Sequence, residues 1–272
     1  MSENRGEARI PYLARTLSFA RRTRALTPAQ ERAFGELSPR YLVGLRPGLG
    51  ETTVAAGQEL DLVQLFGRKA PLTLEIGAGS GEQVVWAASQ HPEQNFLAYE
   101  VWRPGVAKMM NAAAATGVEN LRIISADAVQ SLPLVLPEAC VSEAWIFFPD
   151  PWRKTRHHKR RIVQLPFAAE IARVLVDGGV WRLATDWADY AEHMLQVIAD
   201  SPDFSNSFSE VVDEETGLVG FAPRFDGRTL TRFEERGIAE GRRIFDLEAV
   251  RVPRERATCL AKRVSCCDER TT

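Results

Sequence analysis

The sequence predicts a doubly wound, mostly parallel α/β fold of seven strands, preceded by an N-terminal extension. Three observations predict it. From residue 72 the chain alternates short apolar runs with longer amphipathic stretches, the pattern of βα units wound into a parallel sheet. The first run passes through Gly77-Ala78-Gly79-Ser80-Gly81 into a helical stretch, a turn in which glycine lets backbone approach a ligand that a Cβ would repel. Acids stand at four successive strand ends, Glu75, Glu100, Asp127 and Asp150, along the edge where open α/β sheets bind ligands.

Taken in order, the strand candidates are Leu72 to Ile76, Phe96 to Tyr99, Leu121 to Ser125, Ala144 to Phe148 and Val180 to Ala184. Phe208 to Val212 and Arg243 to Arg251 add two more. Helices are expected over Gln83 to Ser89, Pro104 to Ala115, Ala128 to Leu132, Ile162 to Val176 and Trp187 to Asp200. Asp177-Gly178-Gly179 reads as the turn that stops a helix before the fifth strand, and Ser201-Pro202 as the stop after the last helix. The roughly thirty residues between the last two strands are rich in Gly, Arg and acids, and a connection that long is usually functional. The expected organisation is a basic extension over 1–60, one domain over 61–252 and a polar tail over 253–272.

At 272 residues, 45% hydrophobic and 26% charged, the chain has the composition of a soluble globular protein with a core that needs no staples. A net charge of −2 excludes a polycation, so any nucleic acid must be held by local patches. Cys140, Cys259, Cys266 and Cys267 form no CxxC pair and have no histidine nearby, which suggests neither a zinc site nor a disulfide framework. No apolar run reaches the roughly 20 residues of a membrane span, and no signal-peptide core opens the chain. A cytoplasmic protein is expected, as a monomer or a homodimer. The first forty residues are Arg-rich with four acids among them, compatible with a flexible arm or a second basic surface; the acids weaken a transit-peptide reading.

Two stretches carry chemistry. Asp150 lies between Pro149 and Pro151, so its carboxylate sits on a stiff, extended turn beside Trp152. Arg153, Lys154, Arg156, Lys159, Arg160 and Arg161 follow with no acid among them, a local field suited to phosphates or to a solvated helix start. The glycine spacing is not the Gly-x-Gly-x-x-Gly of dinucleotide sites, and Glu82 at the helix start is a poor neighbour for pyrophosphate but a tolerable one for a cationic cofactor. Glu100 stands where such folds place the acid on a ribose diol, and Asp127 where an acid can meet an adenine amine. Each is also a common helix cap.

Phe148-Pro149-Asp150-Pro151-Trp152, the run Arg156-His157-His158-Lys159-Arg160-Arg161, Ala184-Thr185-Asp186-Trp187 and Thr231-Arg232-Phe233-Glu234-Glu235-Arg236-Gly237 closely resemble the bacterial tRNA (guanine-N7-)-methyltransferase family. The stretch Arg21-Arg22-Thr23-Arg24-Ala25-Leu26-Thr27-Pro28-Ala29-Gln30 is similar to that family's leader, and the resemblance runs from about Arg15 to Val252. It implies a Rossmann-like class I methyltransferase sheet, S-adenosylmethionine as donor, and a tRNA variable-loop guanosine, nucleotide 46, as acceptor; the sequence suggests no metal. By resemblance, Glu75, Glu100, Asp127 and Asp150 match cofactor positions, with Asp150 also the active-site acid, and the glycine turn itself adds Gly77, Gly79 and Gly81 to the cofactor site. Lys154, Asp186, Thr231, Arg232, Phe233 and Glu234 match substrate positions, and Arg156, His157, His158, Lys159, Arg160 and Arg161 the RNA contacts. Arg153 departs from a frequent proline and Arg232 from a usual lysine, which keeps charge and changes hydrogen-bond geometry.

Three other readings compete less well. A nicotinamide oxidoreductase would want a different glycine spacing. A methyltransferase acting on exocyclic amines would want a second proline directly after the first. An RNA-binding module without activity would leave the rim of acids unused.

Overall fold

The computed structural model describes residues 25–212 and 217–254. The apolar runs become β1 (Leu72–Ile76), β2 (Asn95–Tyr99), β3 (Leu121–Ile124), β4 (Val141–Phe147), β5 (Leu175–Thr185), β6 (Phe204–Asn206) and β7 (Phe245–Arg251). They form one sheet in the order β3-β2-β1-β4-β5-β7-β6, parallel except for β7, which runs antiparallel to both of its neighbours. The chain winds outward from β1 to β3 and then returns to lay β4 beside β1. The carboxyl ends of β1 and β4 therefore flank the switch point where doubly wound folds bind ligands.

Among the described residues, eight α-helices accompany the strands: α1 (Pro28–Tyr41), α2 (Leu62–Phe66), α3 (Glu82–Gln90), α4 (Arg103–Ala115), α5 (Ala128–Val135), α6 (Leu165–Val174), α7 (Ala188–Asp200) and α8 (Arg232–Ala239). The strands feed two cores. Leu72, Leu74 and Ile76 join the α5, α6 and α7 side, whereas Phe96, Ala98 and Trp145 join α1, α3 and α4. Trp145 and Trp181 are packing residues, 4% and 0% exposed.

Residues 25–60 pack on this frame. Thr27 caps α1 through a reciprocal capping box with Gln30, Tyr41 is fully buried with its hydroxyl donating to the Val118 carbonyl at 2.9 Å, and Leu42 bridges Ile123 beside β3. The leader through Arg24 and the tail from residue 255, with Cys259, Cys266 and Cys267, lie outside the described residues. Among the described residues no helix is long and apolar enough to cross a membrane, and no cluster of His, Cys, Asp and Glu could hold a metal ion.

Three expectations are corrected. Asp177-Gly178-Gly179 does not end a helix: α6 stops at Val174, and the triplet is a bulge inside β5, whose pairing with β4 jumps from Val141↔Leu175 to Glu143↔Val180. Phe208 to Val212 is no strand. Asn206 closes a turn by accepting the Phe208 N–H at 2.8 Å, so the short β6 ahead of it takes the β7 edge, and Val212 makes an isolated bridge to Val219. The helix expected from Ile162 begins at Leu165 with Pro166 in its first turn, after a separate 3-10 helix over Thr155–Arg160.

Candidate active site

The glycine turn after β1 takes the backbone that only glycine adopts freely. Gly77, Gly79 and Gly81 have φ of 79°, 58° and 81°. The turn is tied to the end of β2, where the Tyr99 carbonyl accepts from the Gly77 and Ala78 N–H groups at 2.9 and 3.2 Å. Glu100 then ties it to the start of α4, one oxygen accepting from the Gly79 N–H at 2.6 Å and the other from the Trp102 N–H at 2.7 Å. Burial raises the Glu100 carboxyl above its usual range even though these hydrogen bonds act the other way.

Glu75, in β1, is 4% exposed, and its Oε2 has no hydrogen-bond partner. Burial, reinforced by the Glu100 carboxylate, pushes its pKa up to about 8. Asp127 caps α5, accepting the Gln130 N–H at 3.1 Å, and also lines the cavity.

Phe148 and Trp152, on either side of Pro149-Asp150-Pro151, have φ of 53° and 46°, a left-handed backbone that costs a non-glycine residue about 1–2 kcal/mol. Such strain persists where the surroundings over-determine it, and it clusters at functional sites. Asp150 is open to solvent on one side, yet its cavity walls remove enough water to raise its carboxyl above the usual range.

A cavity of about 420 Å³ lies against Gly77, Glu100, Asp127, Phe148, Asp150 and Trp152. A second, of about 210 Å³, shares Gly77, Phe147 and Phe148 with it and adds Glu75, Gly79, Thr231 and Phe233. Thr231 caps α8, and the Phe233 ring lies 5.1 Å from that of Phe148, so the late segment roofs the glycine turn. Gly81 is not part of either wall; a Cβ there would meet Met109 Cγ at 2.2 Å, so its role is close packing of α3 on α4.

Of the remaining candidates, Arg160 lines the first cavity and the others stand apart from both walls. Glu234 is fully buried and ion-paired with Arg224 at 3.1 Å and Arg228 at 2.9 Å. Asp186 pairs with Arg242 at 2.9 Å. The Arg232 N–H donates to Glu82 at 2.9 Å. Lys154 and Arg156 are exposed at the 3-10 helix, as is Lys159, and Arg160 lies 4.9 Å over the Trp152 ring. His157 meets Trp152 edge-on at 5.9 Å, and His158 lies 3.6 Å from Asp189, an acid that α7 brings in from far along the chain. Arg161 is buried, removed from the exposed set. Sequence reasoning passed over Gln83, Arg228 and Arg242, whose roles arise from tertiary pairing. The Thr231-x-x-Glu234 spacing was the available signal for α8.

The sheet order, the glycine turn at the switch point and the acid-lined edge cavity define a class I methyltransferase. A family model described as a putative methyltransferase matches residues 69–247. Identity is 43% to the tRNA (guanine-N(7)-)-methyltransferase of Cutibacterium acnes, over 87% of this chain and 83% of that protein. It is 39% to the enzyme of the same name from Paenarthrobacter aurescens, over 87% and 91%, and 45% to that of Sodalis glossinidius, over 86% and 91%. The chain belongs to the tRNA (guanine-N(7)-)-methyltransferase family. Among solved structures, a 16S rRNA methyltransferase, KamB, superposes with a TM-score of 0.51 at 18% identity, over 77% of this chain and 99% of that one, a likeness of fold.

Proposed function

We propose that this chain transfers a methyl group from S-adenosylmethionine to N7 of a guanosine in tRNA, the variable-loop nucleotide 46. One observation carries the reading: acids from four successive strand ends line two contiguous cavities at the switch point. That setting favours a cationic cofactor over a phosphate-bearing one. The printed name shared by the relatives supports tRNA guanine N7 as the acceptor.

The residues present fit the cofactor. A Cβ on Gly77 or Gly79 would project into open space, so the turn is a cradle kept clear. The orphaned Glu75 Oε2 suits an ammonium group, Glu100 is fixed for a ribose diol, and Asp127 stands where an adenine amine would meet it. Bound S-adenosylmethionine supplies an electrophilic methyl on a positively charged sulfur.

The rest is the work of the chain. Guanine N7 has an in-plane lone pair and no proton, so Asp150 is not needed as a general base. Its carboxylate stabilises positive charge developing on the purine, while Trp152 and the Phe148–Phe233 pair bound the base sterically. Thr231 and Phe233 in the cavity wall, with Asp186 and Lys154 beyond it, complete the substrate side, and much of the remaining acceleration is positional. Exposed Lys154, Arg156, Lys159 and Arg160 take phosphates, contacts that place the RNA without reading its sequence.

The test is transfer of labelled methyl to unmodified tRNA, followed by reduction and aniline scission. Label with one cut in the variable loop supports reaction and position together. Label without that cut sinks the position, and no transfer with cofactor bound sinks tRNA as substrate.

A further inference from the structure

Arg161 stands apart from the other cations of its run. Arg153, Lys154, Arg156, Lys159 and Arg160 are exposed, whereas Arg161 is 1% exposed. Its Nε donates to the Pro151 carbonyl at 3.0 Å. Its Nη2 pairs with Asp189 and lies 3.1 Å from His158 Nε2. The guanidinium is 4.7 Å over the ring of Tyr190, a fully buried residue whose hydroxyl accepts the Val163 N–H at 3.2 Å. One planar cation thus ties together the Pro-Asp-Pro turn, the end of the 3-10 helix and α7.

The bond to Pro151 is the informative one. That carbonyl belongs to the peptide joining Pro151 to Trp152, directly after Asp150 and directly before the left-handed φ of 46° at Trp152. Both neighbours line the larger cavity. The backbone at Trp152 is strained, and strain persists only where the surroundings fix it. A charged donor clamped on the adjoining carbonyl, itself held by Asp189 and Tyr190, is such a fixture. To reach a phosphate, the guanidinium would have to give up all of these contacts.

We propose that Arg161 is a positioning residue for methyl transfer, holding Asp150 and Trp152 in the cavity wall through the Pro151 carbonyl, and that it does not contact phosphate. The inference rests on the methyl-transfer reading above. Lysine cannot replace it, because an ammonium lacks the planar fork that serves Pro151 and Asp189 at once.

The test combines steady-state methyl transfer with tRNA binding across a salt series, for wild type, Arg161→Ala, Arg161→Lys and Arg156→Ala. Arg161→Ala and Arg161→Lys should both lower kcat by roughly 10- to 100-fold, with KM for tRNA and the salt slope kept. Arg156→Ala should make the slope shallower by about 0.7–0.9, the signature of one lost phosphate contact. A shallower slope with kcat retained in Arg161→Ala overturns the proposal. If that variant does not fold, Asp189→Asn, at the exposed end of the clamp, decides. A fall in kcat supports the clamp; tighter tRNA binding with kcat intact means a released phosphate contact and overturns it. Wild type that binds tRNA without transferring methyl overturns the functional reading instead, and the salt slope still reports whether Arg161 touches phosphate.

Discussion

Gln83, the second residue of α3, grips Thr229 from 146 positions away: its Oε1 accepts the Thr229 backbone N–H at 2.7 Å while its Nε2 donates to the Gly227 carbonyl at 2.8 Å. Glu82 adds a third tie to the same strap, accepting the Arg232 N–H. The helix that begins at the glycine turn therefore carries the segment that roofs the second cavity. Gln83 is 3% exposed and its two partners are part-buried, so truncation strands backbone groups with limited access to water, at up to about 1–3 kcal/mol for each one left unsatisfied. Gln83→Ala should lower unfolding free energy by about that much and raise KM for tRNA more than it weakens cofactor binding. Urea unfolding and steady-state kinetics check this; a defect confined to the cofactor would count against the strap as a substrate element.

Glu75 makes the ligand-free protein sensitive to pH. Its folded pKa of about 8 lies above an unfolded value near 4.5, so the unfolded chain loses this proton first as pH rises. Stability is then fully present below the unfolded pKa and is lost progressively between about pH 4.5 and 8, at about 1.4 kcal/mol per unit of displacement. Glu75→Gln should flatten that decline in a series of melts from pH 6 to 8.5. A cationic ligand beside Glu75 draws off the proton, so affinity for S-adenosylmethionine should rise with pH over the same window in wild type and not in Glu75→Gln. Calorimetry in buffers of different ionisation enthalpy reads the released proton directly, and its absence would mean Glu75 is ionised beforehand.

Gly105 shows how the glycine turn depends on its neighbour α4. A Cβ there would lie 2.4 Å from the Gly79 carbonyl oxygen and 2.6 Å from Trp102 Cε3. Alanine gains about 1 kcal/mol of helix propensity over glycine, but backbone cannot move aside here without displacing the cradle. Gly105→Ala should therefore destabilise the protein and weaken cofactor binding. Gly35→Ala is the contrast: it lies in α1 with nothing within 4 Å of the new Cβ. That variant should gain up to about 1 kcal/mol and leave the cofactor affinity as it was. Paired melts and cofactor titrations separate the two.

The strand-end acids were legible because each follows an apolar run that one sheet can bury, and the carboxyl ends of parallel strands share an edge. Asp177-Gly178-Gly179 was not, since a helix stop and a β-bulge use the same residue types and only pairing with β4 tells them apart. The shift from Phe208 to Phe204 has a similar cause: an edge strand of three residues has too little pattern to fix its register. In the site, composition showed a run of cations but not which one turns inward. The partner that buries Arg161 is Asp189, 28 positions on, in a helix whose packing the local sequence does not reveal. The ion pairs of Asp186 and Glu234 were hidden for the same reason, because their arginines arrive from the strap and its end.

Those arginines change what Glu234 can be asked to do. Its side chain is fully buried between Arg224 and Arg228, and Arg228 also holds Asp246, whose carboxyl burial raises above its usual range. Breaking one member of such a cluster leaves buried charge uncompensated, at about 3–5 kcal/mol. Glu234→Gln should therefore lower the melting temperature and loosen α8 before any effect on base choice is visible. Among the described residues Asp186 pairs with Arg242, which is itself partly exposed and also paired with Glu240, so Asp186→Asn should cost less stability. If a carboxylate selects guanine through its N1 and amino hydrogens, Asp186→Asn is then the cleaner probe: methylation of guanine should fall while the fold holds. Thermal melts alongside methyl transfer to tRNA decide between them, and an Asp186→Asn protein with unchanged rate and base preference would remove Asp186 from recognition of the base.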